Sequence, residues 1–548
     1  MTNKSYPLYD VPYTPTFRDL LEFCKSSYSD CIAFSYYRQN VLVQKTYRKF
    51  CREVIDLAMI LLSKGYQKCN IAVMGENSYE WILTYLAAVI SGNVIVPIDK
   101  ELPADQVCNI LQEIDAKLFV LSDTYKDYAE IVWQSGIHLD VISLQGLIPK
   151  WVNLGREESN HTVAMQDYDM AEPSPDDLAT IVYTSGTTGT AKGVMLTQRN
   201  ICANIFGGTR NLRVLDKSML VLPLHHTYTF TGAVLSTMAW GSTIYICGSL
   251  KKLKKDLKQF CPSSMMVVPL MLETFHNNIW KTAKESRKAT RLKVAIWISN
   301  RMFNIGVDLR HKLFREILDE FGGNLKQVIC GGAALDERYI KEFRSFGIQI
   351  VQGYGITECS PMVAVTRNHY YKDASVGLKL CNVDIKINRF TNSKEGEILV
   401  KGESVTPGYY KRPDLTKAAF DEDGYFKTGD VGYIDEDGFV YVTGRIKNII
   451  ILKNGKNVYP EELEFEWMKN PAVKEVLVYE KDDAIAVEIF PDAEYFNANP
   501  ADQNAFFADA LADFNHRQPP HKNISQVILR DTPFPKTTTM KIKRNYNN

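Results

Sequence analysis

The stretch Ala179–Leu196, ATIVYTSGTTGTAKGVML, holds the residue types that grip phosphate. An apolar strand, Ala179–Tyr183, runs into Thr184, Ser185, Gly186, Thr187, Thr188 and Gly189, and Lys192-Gly193 then opens a second strand. Glycines let backbone N–H groups approach anionic oxygens, hydroxyls add donors, and a lysine supplies charge. It is not a Walker A loop, because Ala191 stands where the second glycine belongs and a strand follows instead of a helix. Glu358 closes QGYGITE (352–358), Asp430 sits in YFKTGDVG (425–432), and a basic tail, PKTTTMKIKR, covers 535–544. A carboxylate is a hard oxygen donor suited to Mg²⁺, or a bidentate acceptor for two hydroxyls. Positioned cations serve a reaction that accumulates negative charge on phosphorus.

The elements that must hold these residues are α/β in texture. Strand-length apolar runs alternate with helix-period stretches through most of the first 360 residues: Asn70–Met74 before a helix at Glu80–Ile90, then Leu118–Leu121, Met265–Val268, and Val328–Cys330 after a helical stretch at His311–Glu320. That alternation predicts parallel sheets covered by helices. From about 375 to 444 short strands and turns take over, with DEDGYF (421–426) echoed by DEDGFV (435–440); each Asp-Gly suits a hairpin turn with positive φ, and the spacing does not suit a calcium loop. Beyond Gly444 the pattern is mixed: a strand at Asn448–Leu452, a helix from Pro460, strands at Val473–Tyr479 and Ala484–Ile489, and a helix near Ala501–Phe514. The expected organisation is a large domain over 1–444, with 375–444 as its β-subdomain, and a small α+β domain over 445–548.

Composition excludes several classes. The 548 residues are 45% hydrophobic and 23% charged, with 64 Lys+Arg against 64 Asp+Glu. That is a globular profile with no overall bias toward nucleic acid. Eleven Cys without C-x-x-C pairing read as reduced thiols, and the N-terminal sequence has no apolar core of a secretory signal, so the expected compartment is the cytoplasm. Trp81–Ile98 is uncharged, but Ser91-Gly92-Asn93 and Pro97 break it into helix, turn and strand; Ser218–Leu250 carries too many polar groups for hydrocarbon. Between 251 and 293, eleven Lys/Arg face three acids, and Leu250, Leu253 and Leu257 give an amphipathic face. A solvated helix on a sheet and a peripheral contact with anionic lipid both fit that patch.

YTSGTTGTAKG resembles the phosphate-binding signature of the adenylate-forming superfamily: acyl-CoA synthetases, luciferases and peptide-synthetase adenylation domains. Further motifs occur in that family's order: LPLHH (222–226), GGAAL (331–335), QGYGITE, YFKTGDVG, GRIKNIIILKNGKNVYPEELE (444–464) and PKTTTMKIKR. The segment Lys281–Gly323 and the GRIKN–NVYPEE block look most like long-chain fatty acyl-CoA synthetases. The resemblance implies ATP, Mg²⁺ and CoA, with a carboxylic acid, a long-chain fatty acid, as the expected substrate. It assigns Thr184–Gly189 and Lys192 to the phosphates, Glu358 to the metal and Thr357 to the α-phosphate. Tyr354, with Gln352 and Gly353 beside it, would lie along the adenine opposite Gly332 and Ala333. Asp430 and Arg445 would meet the ribose, His226 the acyl carboxylate, and Lys541 would be the catalytic lysine of a mobile lid turning about Lys447. Two departures stand out: Met540 replaces the usual Gly before that lysine, and Asn454-Gly455-Lys456-Asn457 replaces Gly-Gly-Glu-Asn. Two alternatives stay open here: a ligase that loads a carrier-protein phosphopantetheine, and a nucleotide-binding relative without catalysis. Acyl chain length and oligomeric state are not legible.

Overall fold

The computed structural model describes residues 7–146, 168–184, 191–391, 393–452, 457–482, 484–536 and 542–544. The chain folds as two compact units, Met1–Ile385 with Val400–Phe426, and Lys386–Leu399 with Lys427–Asn548. The expected division at 445 therefore falls inside the second unit, which takes in the strand Phe426–Ile434 almost whole.

Two sheets build the first unit. In a nine-stranded sheet the neighbours Gln349–Gly355, Gln327–Gly331, Ser264–Val267, Lys217–Leu220, Thr243–Ile246 and Ile32–Arg38 run parallel, and antiparallel strands close both edges. In a seven-stranded sheet, Leu178–Thr184, Val94–Ile98, Asn70–Met74, Leu118–Leu121 and Asp140–Ser143 are parallel neighbours. The parallel strands are apolar along most of their length, as burial on both faces requires. The helix Tyr79–Ile90 is buried on every side, which explains its apolar sequence; its one charged residue, Glu80, is paired with Arg38, and Gly92, at φ +74°, turns the chain into the strand Val94–Ile98. No helix among the described residues is long and apolar enough to cross a membrane.

Both Asp-Gly repeats are hairpin turns built alike. Asp421 Oδ1 accepts the N–H groups of Asp423 and Tyr425, and Asp435 Oδ1 those of Asp437 and Phe439, with Gly424 at φ +78° and Gly438 at φ +85°. The first carboxylate of each repeat thus braces its own loop.

The second unit has its own core: Leu463 and Trp467 of the helix Pro460–Trp467, the strands Val473–Lys481, Ala484–Pro491 and Gln526–Leu529, and Phe507 and Phe514 of the helix Gln503–Arg517. Two sequence expectations need revision. Asn448–Leu452 is a 3₁₀ turn (Ile446–Asn448) and a two-residue strand (Ile450–Ile451), because its partner, Asn457–Val458, offers only two residues. His311–Glu320 is two short helices, Arg310–Leu313 and Arg315–Glu320, separated at Phe314, whose ring is buried in the core.

Candidate active site

Thr184 and Lys192 are paired where the strands Leu178–Thr184 and Lys192–Thr197 run antiparallel, so the phosphate-loop sequence starts and ends on paired strands. Ser185, Gly186, Thr187, Thr188 and Gly189 lie outside the described residues. At the stem, a Cβ on Gly193 would come within 2.7 Å of Ile181 Cγ2, so the backbone needs glycine there. The Lys192 ammonium donates to the Tyr409 hydroxyl at 2.7 Å and lies 3.3 Å from Glu358 Oε1. The Tyr409 hydroxyl in turn donates to Glu358 Oε1 at 2.9 Å. Burial and the adjacent carboxylate push the Tyr409 phenol well above its ordinary pKa, so it stays protonated and keeps donating.

Local pairing brings Tyr409 to that spot. The strand Gly408–Tyr409 pairs antiparallel with Met195 and Val194, and Tyr410 N–H donates to Gly193 O. A Cβ on Gly408 would meet Thr416 Oγ1 at 2.6 Å. Thr406 N–H donates to Glu358 O, tying the same segment to the Glu358 turn. Tyr409 escaped the sequence reading because Gly-Tyr-Tyr (408–410) carries no charge or motif spacing; its role arises from pairing with residues more than two hundred positions away.

Glu358 and Thr357 lie in a 3₁₀ turn, Thr357–Cys359, just after the strand Gln349–Gly355. A Cβ on Gly355 would sit 2.1 Å from Pro361 O, so the sharp exit demands glycine. Gly353 pairs with Gly331 across the sheet, and Gly332 follows in the left-handed region at φ +92°. Gly332 and Ala333 are exposed and Tyr354 is half-buried. Gln352 is engaged elsewhere: its buried amide donates to Asp373 O at 2.7 Å and Ser375 O at 2.8 Å, using both N–H groups to hold a turn.

The two histidines of LPLHH differ. His225 is buried, with Nε2 3.6 Å from Asp99 Oδ2, beyond hydrogen-bonding reach. Burial, helped by Lys100, holds its pKa down to about 3, so the ring is neutral. His226 is half-buried with its ring 4.0 Å from that of His225, and its carbonyl accepts from Thr229 and Phe230 at the start of the π-helical turn Tyr228–Leu235. Asn77 fixes the loop from outside the motif, donating to Leu222 O and accepting from Leu224 N–H.

The remaining expected residues belong to the second unit. Asp430, 3% exposed, receives Arg445 Nε at 2.7 Å across adjacent strands. Its backbone N–H is held by Thr428 Oγ1, and Glu397 accepts from Gly429, which turns at φ +70°. Lys447 is exposed in the 3₁₀ turn after Arg445. Lys541 and Met540 lie outside the described residues, as do Asn454-Gly455-Lys456. Their flanks are pinned: Lys536 pairs with Ile542 and meets Glu475 at 2.7 Å, while Arg544 donates to Glu464 at 2.5 Å and to Val478 O at 3.1 Å.

The first unit thus holds a hairpin-stem lysine bridged to a carboxylate, and the second holds a buried aspartate paired with an exposed arginine. The chain belongs to the AMP-binding enzyme family: that family's model matches residues 25–410, and the model of the AMP-binding enzyme C-terminal domain matches 447–547. The long-chain-fatty-acid–CoA ligase FadD15 of Mycobacterium bovis is 30% identical over 472 residues, covering 82% of this chain and 77% of that protein. The fold is shared with ATP-bound MatB from Rhodopseudomonas palustris (TM-score 0.74, 23% identity, 96% of this chain and 97% of that one). It is shared too with o-succinylbenzoate coenzyme A synthetase (MenE) from Bacillus subtilis in complex with ATP and magnesium ion (TM-score 0.73, 21% identity, 96% and 98%). The chain is thus an ATP-using acid–thiol ligase by class.

Proposed function

We propose that this enzyme activates a long-chain fatty acid to acyl-AMP and then transfers the acyl group to the thiol of CoA. The observation that carries the reading is the Lys192–Tyr409–Glu358 cluster at the stem of the phosphate-loop hairpin. The identity to a long-chain-fatty-acid–CoA ligase supports the substrate class and the choice of CoA over a carrier protein.

In the first half-reaction a carboxylate oxygen attacks the α-phosphorus; the new O–P bond forms as the bond to the bridging oxygen breaks, releasing pyrophosphate. In the second, the thiol sulfur attacks the acyl carbonyl, loses its proton, and displaces AMP. Lys192 and the Thr184–Gly189 loop hold phosphate, and Lys541 stabilises charge on the pentavalent centre. His226 lies beside the acyl carboxylate, and Thr357 meets the α-phosphate. Tyr354, Gly353, Gly332 and Ala333 enclose the base, with Gln352 as a brace behind them; Asp430 and Arg445 take the ribose.

Glu358 would fit Mg²⁺ as a single hard carboxylate donor beside the Lys192 ammonium, since Mg²⁺ usually binds through one or two carboxylates, substrate phosphates and water. When bound it would neutralise phosphate charge. The segment 445–548 acts as a lid turning about Lys447, where proline would restrict φ and slow thioester formation more than adenylation.

The test is AMP formation with a panel of acids from acetate to palmitate and aromatic acids, with CoA, with a holo-carrier protein, and with neither. Palmitate with CoA should give the highest kcat/KM; a preference for short or aromatic acids, or for the carrier, overturns the reading. In the same assay Lys541→Ala should lose acid-dependent pyrophosphate release yet still form thioester from presynthesised acyl-adenylate. Equal loss of both would contradict the role given to Lys541.

A further inference from the structure

The helix Ala289–Asn304 is two-faced in an unusual sense. Leu292, Ala295 and Ile296 pack on the core of the nine-stranded sheet's helical layer, and buried Ser299 donates to Ser345 O, so the helix is firmly seated. Its outward face is apolar as well. Val294, Trp297 and Ile298 stand at i, i+3 and i+4, with Trp297 67% exposed, and the chain continues through exposed Phe303, Ile305 and Val307. A contiguous group of large exposed apolar residues marks an interaction surface.

The charges around it are one-sided. Arg291, Lys293 and Arg301 lie three, four or seven positions from those apolar residues and share their face. Over residues 281–304, Lys281, Lys284, Arg287, Lys288, Arg291, Lys293 and Arg301 stand against Glu285 alone. Among the described residues Lys288 pairs with Glu316, whereas Lys284, Arg287, Arg291, Lys293 and Arg301 form no ion pair. A tryptophan and aliphatic side chains flanked by unpaired Arg and Lys match the interface of an anionic membrane, where rings enter the headgroup region and cations meet lipid phosphate. A second copy of this chain fits poorly, because a two-fold contact would set Arg291, Lys293 and Arg301 against themselves.

We infer that the exposed face of the Ala289–Asn304 helix docks the enzyme on anionic lipid surfaces. The test is co-sedimentation of the full chain with phosphatidylcholine vesicles and with vesicles that also contain phosphatidylglycerol, without ATP or acid, so that its outcome is independent of the substrate proposed above. Binding should require the anionic lipid and weaken at high salt. Trp297→Glu with Ile298→Glu, and separately Arg291→Glu with Lys293→Glu, should each lower the partition coefficient at least tenfold. The altered side chains face outward, so thermal unfolding without vesicles should be unchanged; if the glutamate pair unfolds the chain, Trp297→Gln with Ile298→Gln replaces it. Equal binding to neutral vesicles, unchanged partition of the variants, or a change of oligomeric state in the variants without loss of lipid binding would overturn the proposal.

Discussion

Glu358 and Asp430 are both carboxylates paired with cations, yet they are held differently. Asp430 is buried and meets Arg445 directly at 2.7 Å across two paired strands, a register the backbone dictates. Glu358 is more open; the Tyr409 hydroxyl at 2.9 Å is its nearer partner, and the Lys192 ammonium stands 3.3 Å away. Losing Arg445 takes an ion-pair partner from a buried carboxylate, whereas loosening Lys192 from Glu358 frees two groups that water and phosphate can satisfy. The first pair is therefore expected to contribute to folding, and the second, in the proposed function, to exchange partners when a nucleotide binds.

The largest effect expected from that contrast is at Glu358. In the proposed role Glu358→Gln removes the carboxylate that would hold Mg²⁺, and it should lower acid-dependent pyrophosphate release by about 10²–10³. Its unfolding free energy should stay within roughly 1 kcal/mol of wild type. A stability loss larger than the activity loss would erase the distinction. Arg445→Ala should act in reverse and destabilise the protein by about 1.5–3 kcal/mol in denaturant unfolding, with Arg445→Lys restoring part of it. A fully stable Arg445→Ala would show that the ion pair is not coupled to folding.

His225 extends the contrast to a neutral buried group. Its folded pKa, about 3, lies below the unfolded value of about 6.5, so protonation favours the unfolded chain. Stability associated with this ring is present above pH 6.5 and is lost as pH falls toward 3. Wild type should lose about 2 kcal/mol between pH 7 and pH 5 that His225→Gln does not lose. Parallel pH profiles for the two proteins would refute it. The smallest effect is expected for Tyr409→Phe, which keeps the ring under Lys192 but removes the bridging hydroxyl. Turnover should fall about tenfold, one hydrogen bond to a charged group, with KM for ATP rising. Unchanged kcat and KM would mean that the bridge positions nothing.

Much of the local structure around the candidate site was legible because it is written in local sequence. The Ser/Thr/Gly run and Lys192 identify a loop between strands, and the register Thr184↔Lys192 places the lysine at its stem. The repeated DEDG turns follow from Asp and Gly alone. What could not be read depends on long-range pairing. Tyr409 enters through a two-residue strand added to the hairpin edge. The amide of Gln352 is turned to a loop some twenty residues on, and Asn77 reaches the LPLHH loop from just before the helix Tyr79–Ile90. The strand Phe426–Ile434 likewise pairs with Val440–Arg445, which draws residues before 445 into the second unit.

Transfer of oxygen from the acid to AMP tests the central claim most directly. Palmitate labelled with oxygen-18 in its carboxylate, incubated with ATP, Mg²⁺, CoA and this enzyme, should yield AMP carrying one labelled oxygen per turnover and unlabelled pyrophosphate. The carboxylate oxygen that attacks the α-phosphorus leaves with AMP when the thioester forms. Label appearing in inorganic phosphate, or AMP formed without label, would contradict activation through an acyl-adenylate.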